Sequence, residues 1–575
     1  MRIYINQAGY LPKSKKIAVL AEEVGILVGK EEKKIQVFDQ QGSCVLEKTA
    51  VYFGEDISSG DKIWQVDFSE LEEEGKYQIK DEQANQSYMF KIDSSLYKDV
   101  NQLLCKALYF QRCGMPLEEP YAGVFKRESC HEEKAVLLED YLKIMNHEVA
   151  KEEIPYFDVR GGWHDAGDYG RYTTAAATAL AHILYGFTWF PKSFQHSLLI
   201  PESGNGVEDI LNECLYELKW MLKMQMEDGS VCHKLTSMRH ANFVMPCKDK
   251  RQLILFPAST MATGVFVAIM AKASRVYADI DQEFSKEAFS ASKRAWDWLE
   301  EHPEFIGFRN PEGCNTGEYE DNDDKDERLW ALTELYLCTG EETYIERAKV
   351  LFEEVKEKTA LGWSDVGGFA GWALLEEEIK SARERKNPVV DEWKKESSVC
   401  EPIAEWKCQY IDLIIQEAER WIKLSDECGY MASMSPEDYG WGSNMVLLNR
   451  GMILGVAYLL SGRMEFLYGA TKQMDYLLGV NATGYSYVTG VGEHPFKNPH
   501  NRVTVADGIE ETIKGFVSGG ANKNPVDEKA EWLIEPELPP MKCFLDVWEC
   551  YSLNEITIYW NSPAIFLAGF LDSLS

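Results

Sequence analysis

A small β-sandwich followed by a much larger helical domain is the fold class this sequence predicts. Three observations carry the prediction. Residues 1–92 alternate apolar and polar side chains with period two. From Asp93 onward, apolar residues recur at helical spacing through most of the chain. At 575 residues, the chain is long enough for more than one core.

The sandwich is read from short strands such as KKIAVLA, KKIQVFD, KIWQVDF, GKYQIKD and SYMFKID, separated by Gly, Asp and Glu turns. The pattern changes at Asp93-Ser94-Ser95. Ser95 suits a helix N-cap, and LYKDVNQLLCKALYFQRCG continues at helical spacing to Gly114. The expected division is therefore 1–92 and 93–575. Segments such as VEDILNECLYELKWMLKMQ, MATGVFVAIMAKASRVYADI and NMVLLNRGMILGVAYLLSGR imply about twelve helices at roughly 40 residues per helix and loop. The Gly- and Pro-rich stretch from 480 to 545 is a long loop region, and such loops usually carry function.

Composition narrows the partners. The net charge of −34 disfavours nucleic acid and anionic membranes, whose recognition needs excess Lys and Arg. No run approaches the roughly 20 apolar residues of a membrane span. Residues 1–20 lack the apolar core of an export signal, so the 14 cysteines are expected as reduced thiols in a cytoplasmic protein, or a secreted one if a signal was removed. The 16 tryptophans suit either core packing or platforms for sugar rings. Oligomeric state is not legible.

Chemistry concentrates in GGWHDAGDYGRY, residues 161–172. Gly161 and Gly162 let the backbone bend. Asp165 and Asp168 stand three residues apart, so in a helical turn they would face one way and hold a water between them. The plainer alternative is helix N-capping.

This segment resembles the N-terminal catalytic motif of glycoside hydrolase family 9, the inverting β-1,4-glucanases. It matches the branch with an Ig-like domain in front of an all-α (α/α)6 barrel. The resemblance implies Asp168 as general base and Asp165 as its helper. FLDVWECYSLNEITIYWNS, from 544, is similar to the family's C-terminal signature, which implies Glu555 as general acid and Asp546 as a supporting carboxylate. The apolar helix after Glu555 should raise its pKa, as an acid near neutral pH requires. SYVTGVGEHPFKNPHNR, from 486, resembles the family's Gly-rich loop, which implies roles for His500 and Arg502 at the substrate. It departs from the family at His494 and Asn501. Weaker likenesses around Asp326, Glu327 and Trp330, and in YGWGSN, add Trp330, Trp441 and Tyr551 as expected sugar contacts.

Inversion needs two carboxyl groups about 6.5–9.5 Å apart, one protonated and one ionised. The resemblance therefore implies hydrolysis of β-1,4-glucosidic bonds in soluble glucan or cello-oligosaccharide chains. Exo-acting removal of glucose or glucosamine is the nearest alternative, and a non-catalytic carbohydrate-binding protein is the alternative of a different class.

Cys113, Cys130 and His131 are three residues of a kind that suits Zn²⁺, which takes four ligands in a closed structural site. His164 and His147 are candidates for the fourth. The resemblance favours His164, and the ion would then brace the base loop. The acidic run EYEDNDDKDE, 318–327, lacks EF-hand spacing and reads as a solvated loop. The resemblance adds Ca²⁺ as a second ion without naming ligands.

Overall fold

The structure, a computed structural model, describes residues 1–23, 32–385 and 402–575. Seven strands form the N-terminal unit: β1 Arg2–Tyr4, β2 Ile17–Glu23, β3 Lys33–Asp39, β4 Cys44–Glu55, β5 Asp61–Asp67, β6 Gly75–Asp81 and β7 Phe90–Ile92. Their order is β1-β2-β5-β4-β3-β6-β7. The 12-residue β4 joins the two layers, pairing with β3 through residues 44–50 and with β5 through 51–55. Sequence periodicity passes over β4 because both its faces are largely open and its side chains do not alternate. A parallel bridge between Tyr10 and Ile92 draws the two ends of the sheet together. The core between the layers holds Leu20, Val37, Trp64, Phe68, Ile79 and Phe90.

From Leu96 the chain is predominantly helical. An inner ring runs Thr173–Trp189, Thr260–Val276, Lys325–Thr339, Gly367–Leu374 with Glu376–Arg385, Ser443–Ser461 and Ile558–Asp572, each packed on the next. The last helix also packs on the first, which closes the ring. Around it lie Leu96–Gln111, Asp209–Leu222, Gln282–Glu301, Glu342–Phe352, Pro402–Glu427 and Met464–Leu477. Thr173–Trp189, Thr260–Val276 and Ile558–Asp572 are apolar on nearly every side because they touch neighbours all round. Ser443–Ser461 is long and apolar enough to cross a bilayer, contrary to the expectation that no segment is. Here 72% of its apolar window is buried among other helices.

Two details differ from the sequence reading. Ser95 occupies the N-cap position of the first helix, but its side chain bonds Asp93 and not the helix N–H groups. The barrel is also not purely helical at its mouth. Four short strands, β8 Val136–Leu137, β9 Arg171–Tyr172, β10 Lys234–Thr236 and β11 Ile254–Leu255, tie four loops together in the order β8-β11-β10-β9.

The sandwich docks on the barrel through buried polar contacts. Tyr430 donates to Asp61 at 2.8 Å, and Lys542 reaches the same carboxylate at 2.6 Å. Gln7 donates to the Gly484 carbonyl and accepts from the His494 N–H. His494 stacks between Tyr88 of the sandwich and Tyr485. Asn6 donates to Asp475 at 2.8 Å. Burial pushes Asp475 up to about 7, against the pull of the Asn6 amide and of Lys472. A carboxyl raised above its unfolded value holds its proton more tightly when folded. Its contribution is therefore full below about pH 4 and lost as pH rises through about 7. Asp475→Asn should remove this loss. Melting temperatures at pH 5 and pH 8 should differ less in the variant than in the parent protein, and an unchanged difference would refute the assignment.

Candidate active site

The loop 161–170 is fixed from three sides. Gln111, at the end of the first barrel helix, donates through Nε2 to the carbonyls of His164 and Ala166, and its own carbonyl accepts from His164 N–H. Trp163 donates its indole N–H to Glu213 and its backbone N–H to Glu217. Arg171 donates to the carbonyls of Val159 and Gly161. Gly161 and Gly162 have φ of 112° and 75°, the left-handed bend that their lack of Cβ allows. The expected helical turn at Asp165 and Asp168 does not form. Asp165 N–H instead closes an irregular loop on the Gly170 carbonyl at 2.9 Å, and this brings both carboxylates to the barrel mouth.

The segment around Glu555 meets this loop directly. Ile558 N–H donates to the Asp165 carbonyl at 2.8 Å, and Arg502 N–H to the Gly167 carbonyl at 2.9 Å. A Cβ on Gly167 would lie 1.7 Å from the His500 carbonyl oxygen, so only glycine permits the approach. His500 forms a bridge with Glu555 and directs Nδ1 to the Trp548 carbonyl at 2.7 Å. A carbonyl only accepts, so Nδ1 carries the proton. Burial pushes His500 down to about 4, which keeps it neutral.

The carboxyl groups are driven apart. Burial raises Asp168, but His240, Arg502 and the Gly170 N–H together outweigh it and hold Asp168 well below the ordinary carboxylate range. Burial lifts Glu555 well above that range, helped by the negative charge of Asp168 and opposed only in part by Arg502. The surroundings thus favour the charged form of Asp168 and the protonated form of Glu555, the direction that paired acid and base chemistry requires. Asp165 gives one oxygen to the Tyr319 hydroxyl, while its Oδ1 is buried without a protein partner. Tyr319 also meets Tyr559, hydroxyl to hydroxyl, at 3.2 Å.

Aromatic side chains line the mouth. Trp441, half exposed, lies 5.4 Å from Tyr551, and Tyr551 lies 5.5 Å from His500. Phe243 follows at 5.2 Å from His500 and 4.5 Å from Trp548. Such a strip suits the apolar faces of sugar rings.

Three expected site residues have other work. Arg502 is buried, its Nε and Nη1 donating to the carbonyls of Ala241 and Gly167, so it clamps two loops beside the carboxyl groups. Trp330 is fully buried in the barrel core against Phe369, its indole N–H on Tyr185, out of reach of a sugar. Asp546 accepts the N–H groups of Lys497 and Asn498 and so supports the loop leading to His500 without touching the acid. Asn501, at the second departure from the family, caps a short helix by accepting from Thr504 N–H.

Cys113, Cys130, His131 and His164 are all buried, with their ligand atoms within 4.8 Å of one another, and could coordinate a metal ion. The edges are 3.5 Å from Cys113 Sγ to His131 Nδ1, 3.9 Å between the sulfurs, and 4.0 Å from Cys130 Sγ to His164 Nε2. Tetrahedral Zn²⁺ sets sulfur–sulfur and sulfur–nitrogen edges of about 3.8 and 3.5 Å. His131 turns Nε2 to Asp249 at 3.4 Å, the carboxylate support usual behind a ligating histidine. His147 lies outside the cluster. The acidic run is not a solvated loop. Asp324, Asp326 and Glu327 are buried, and neither Glu327 oxygen has a hydrogen-bond partner. Burial raises Asp321 to about 7 and Asp326 to about 6, and neighbouring carboxylates add to both.

A helical toroid whose mouth holds two carboxyl groups driven in opposite directions is the arrangement of a glycoside hydrolase. The family model for "Glycosyl hydrolase family 9" matches residues 97–568, and that for "Cellulase N-terminal ig-like domain" matches residues 1–86. A cellodextrinase of Butyrivibrio fibrisolvens is 38% identical over 590 residues, covering 99% of this chain and all of that protein. The structure of a metagenome-derived family 9 endoglucanase superposes with a TM-score of 0.87 at 30% identity, covering 100% of this chain and 99% of that one. A structure described as a Zn-binding triple mutant of the family 9 endoglucanase J30 superposes at 0.85 with 28% identity, covering 98% and 99%. The chain belongs to glycosyl hydrolase family 9, with an N-terminal Ig-like domain preceding an (α/α)6 barrel.

Sequence reasoning missed Tyr319, Tyr559 and His240, which touch the two aspartates or their partners. Tyr319 and Tyr559 fall inside the stretches 318–327 and 544–562, but nothing there singles them out, and His240 lies in neither. Gly167→Ala should separate the two halves of the site and lower kcat about 100-fold, the cost of a displacement near 1 Å. Far-UV circular dichroism should be unchanged, and retained activity would show that the close approach is dispensable.

Proposed function

We propose that this enzyme hydrolyses β-1,4-glucosidic bonds in soluble cello-oligosaccharides and related glucan chains, with inversion at the anomeric carbon. The observation that carries this reading is the placing of Asp168 beside His240 and the Gly170 N–H, with Glu555 buried near it, which drives the two carboxyl groups in opposite directions. Asp168 takes a proton from water. That water has a natural seat between Asp168 and the unpartnered Oδ1 of Asp165. Glu555 gives its proton to the departing glycosidic oxygen. Trp441, Tyr551 and Phe243 offer faces to successive sugars. The cellodextrinase resemblance over the whole length supports short soluble chains as substrate.

Products from cellopentaose should appear first as the α-anomer in an NMR time course, because inversion at a β-linkage gives α. β-anomer as the first product would overturn the mechanism. Parallel reactions with chitosan oligomers and an aryl β-glucoside fix the sugar and the cleavage mode. Asp168→Asn and Glu555→Gln should each lower kcat by at least about 100-fold with the fold intact. Activity should fall on the acid side as Asp168 protonates and on the alkaline side as Glu555 loses its proton. Retained activity in Glu555→Gln would refute the acid.

We further propose Zn²⁺ at the Cys113, Cys130, His131 and His164 cluster. The two thiolates and two imidazoles fill a tetrahedral shell, so the ion would brace the base loop and leave no open position for substrate. Ca²⁺ beside Asp321, Asp326 and Glu327 would answer the orphaned Glu327 oxygens. Metal analysis should return one zinc per chain, and chelation should lower the melting temperature. Active, folded protein without zinc would remove the first assignment, and indifference of stability to Ca²⁺ the second.

A further inference from the structure

The loop 237–246 crosses the cleft beside the base and is held along its length. Asn315 accepts from His240 N–H at 3.1 Å, and its own N–H donates to the Met238 carbonyl at 3.0 Å. Arg251 donates to the Arg239 carbonyl, Arg502 to the Ala241 carbonyl and the Tyr169 hydroxyl to the Val244 carbonyl. Arg251 in turn grips Asp249, which faces His131 of the cysteine–histidine cluster. The backbone on both sides of His240 is therefore fixed by groups of the base loop, the acid loop and the cluster.

The imidazole uses that fixed position against one atom. His240 Nδ1 lies 3.1 Å from Asp168 Oδ2, off the axis of a good hydrogen bond. The same oxygen accepts the Gly170 N–H at 3.2 Å. His240 is about one-third exposed, so the ring stands at the cleft surface while its Nδ1 is covered.

We propose that His240 is a positioning residue for the base, holding Asp168 Oδ2 so that Oδ1 is left to the attacking water. This rests on the reading of Asp168 as base. Two acidic neighbours, Asp165 and Glu555, would otherwise work against an ionised Asp168. Arg502 helps, but its Nε and Nη1 are occupied by two carbonyls, so it acts on Asp168 by charge at a distance. His240 is the side chain whose nitrogen stands against Asp168 Oδ2, at 3.1 Å, close enough to donate once the ring turns onto the axis. The charged and titratable groups facing this pair are Arg502, Lys234, Asp165, Glu555, Tyr172 and His500 around Asp168 and His240, with Arg239, Arg251 and Asp249 behind the loop.

The test is steady-state kinetics on cellopentaose from pH 4 to pH 9 for His240→Ala, His240→Asn and His240→Gln. His240→Ala should lower kcat roughly 10- to 100-fold with KM little changed, the pattern of a lost orientation and not of lost binding. Its acid limb should move to higher pH, because Asp168 loses its donor. The amide of Asn lies where Nδ1 was and should restore most of the rate, whereas the longer Gln should not. Wild-type kinetics in His240→Ala, or a rise in KM alone, would overturn the proposal. A second measurement does not depend on turnover. In ¹⁵N-histidine spectra the His240 Nδ1 signal should be that of a protonated nitrogen and should shift on Asp168→Asn. A signal indifferent to Asp168 would overturn it even if the substrate assignment itself proved wrong, and an inactive parent protein with a responsive signal would sink only the substrate.

Discussion

Everything at the mouth of this barrel depends on one close approach of two backbones. The loop carrying Asp165 and Asp168 and the segments carrying His500 and Glu555 are far apart in sequence, 335 residues from Gly167 to Arg502. They meet where Gly167 lies under the His500 carbonyl, with hydrogen bonds from Arg502 and Ile558 closing on either side. Backbone contacts of this kind are more rigid than contacts between long side chains, because no rotamer can relax them. They set the relative position of base and acid before any substrate arrives, which is where much of an enzyme's advantage in orientation originates.

Electrostatics follows from that geometry. Asp168, Asp165 and Glu555 share one poorly solvated space, and three ionised carboxylates cannot coexist there cheaply. His240, Arg502 and the Gly170 N–H select Asp168 as the charged member. Its charge then helps to keep the proton on Glu555. The difference between the two groups is thus one arrangement, not two independent adjustments. Changing either group alters the other.

How much of this the sequence shows depends on how local the cause is. Asp165, Asp168 and Glu555 stand in short strings whose neighbours mark them. Cys113, Cys130 and His131 are likewise readable from residue type, while His164 joins them only because Cys113 N–H folds back on the Gly162 carbonyl. The strands around Ile35, Trp64 and Ile79 alternate and are legible, whereas β4 is not, since it faces solvent along much of both sides. Arg502 and Trp330 have side chains suited to sugar, and only burial reveals that one clamps loops and the other fills the core. Tyr319 and His240 acquire meaning through partners far away in sequence, Asp165 and Asp168. No local pattern records such a pairing.

The closure of the inner ring has a consequence for the order in which the protein comes into being. The cysteine–histidine cluster and the base loop are built from residues 113–164 and their neighbours, so they can take shape early in synthesis. Glu555 and the helix Ile558–Asp572 follow every other described barrel helix in the sequence, and that helix fills the gap between Thr173–Trp189 and Ser443–Ser461. Until it docks, the toroid has an open side, Glu555 has no buried setting, and Asp165 lacks the Ile558 N–H that ties it to the acid segment. Docking of that helix and assembly of the catalytic pair are therefore the same event, and a barrel without it holds a base with no acid to answer it.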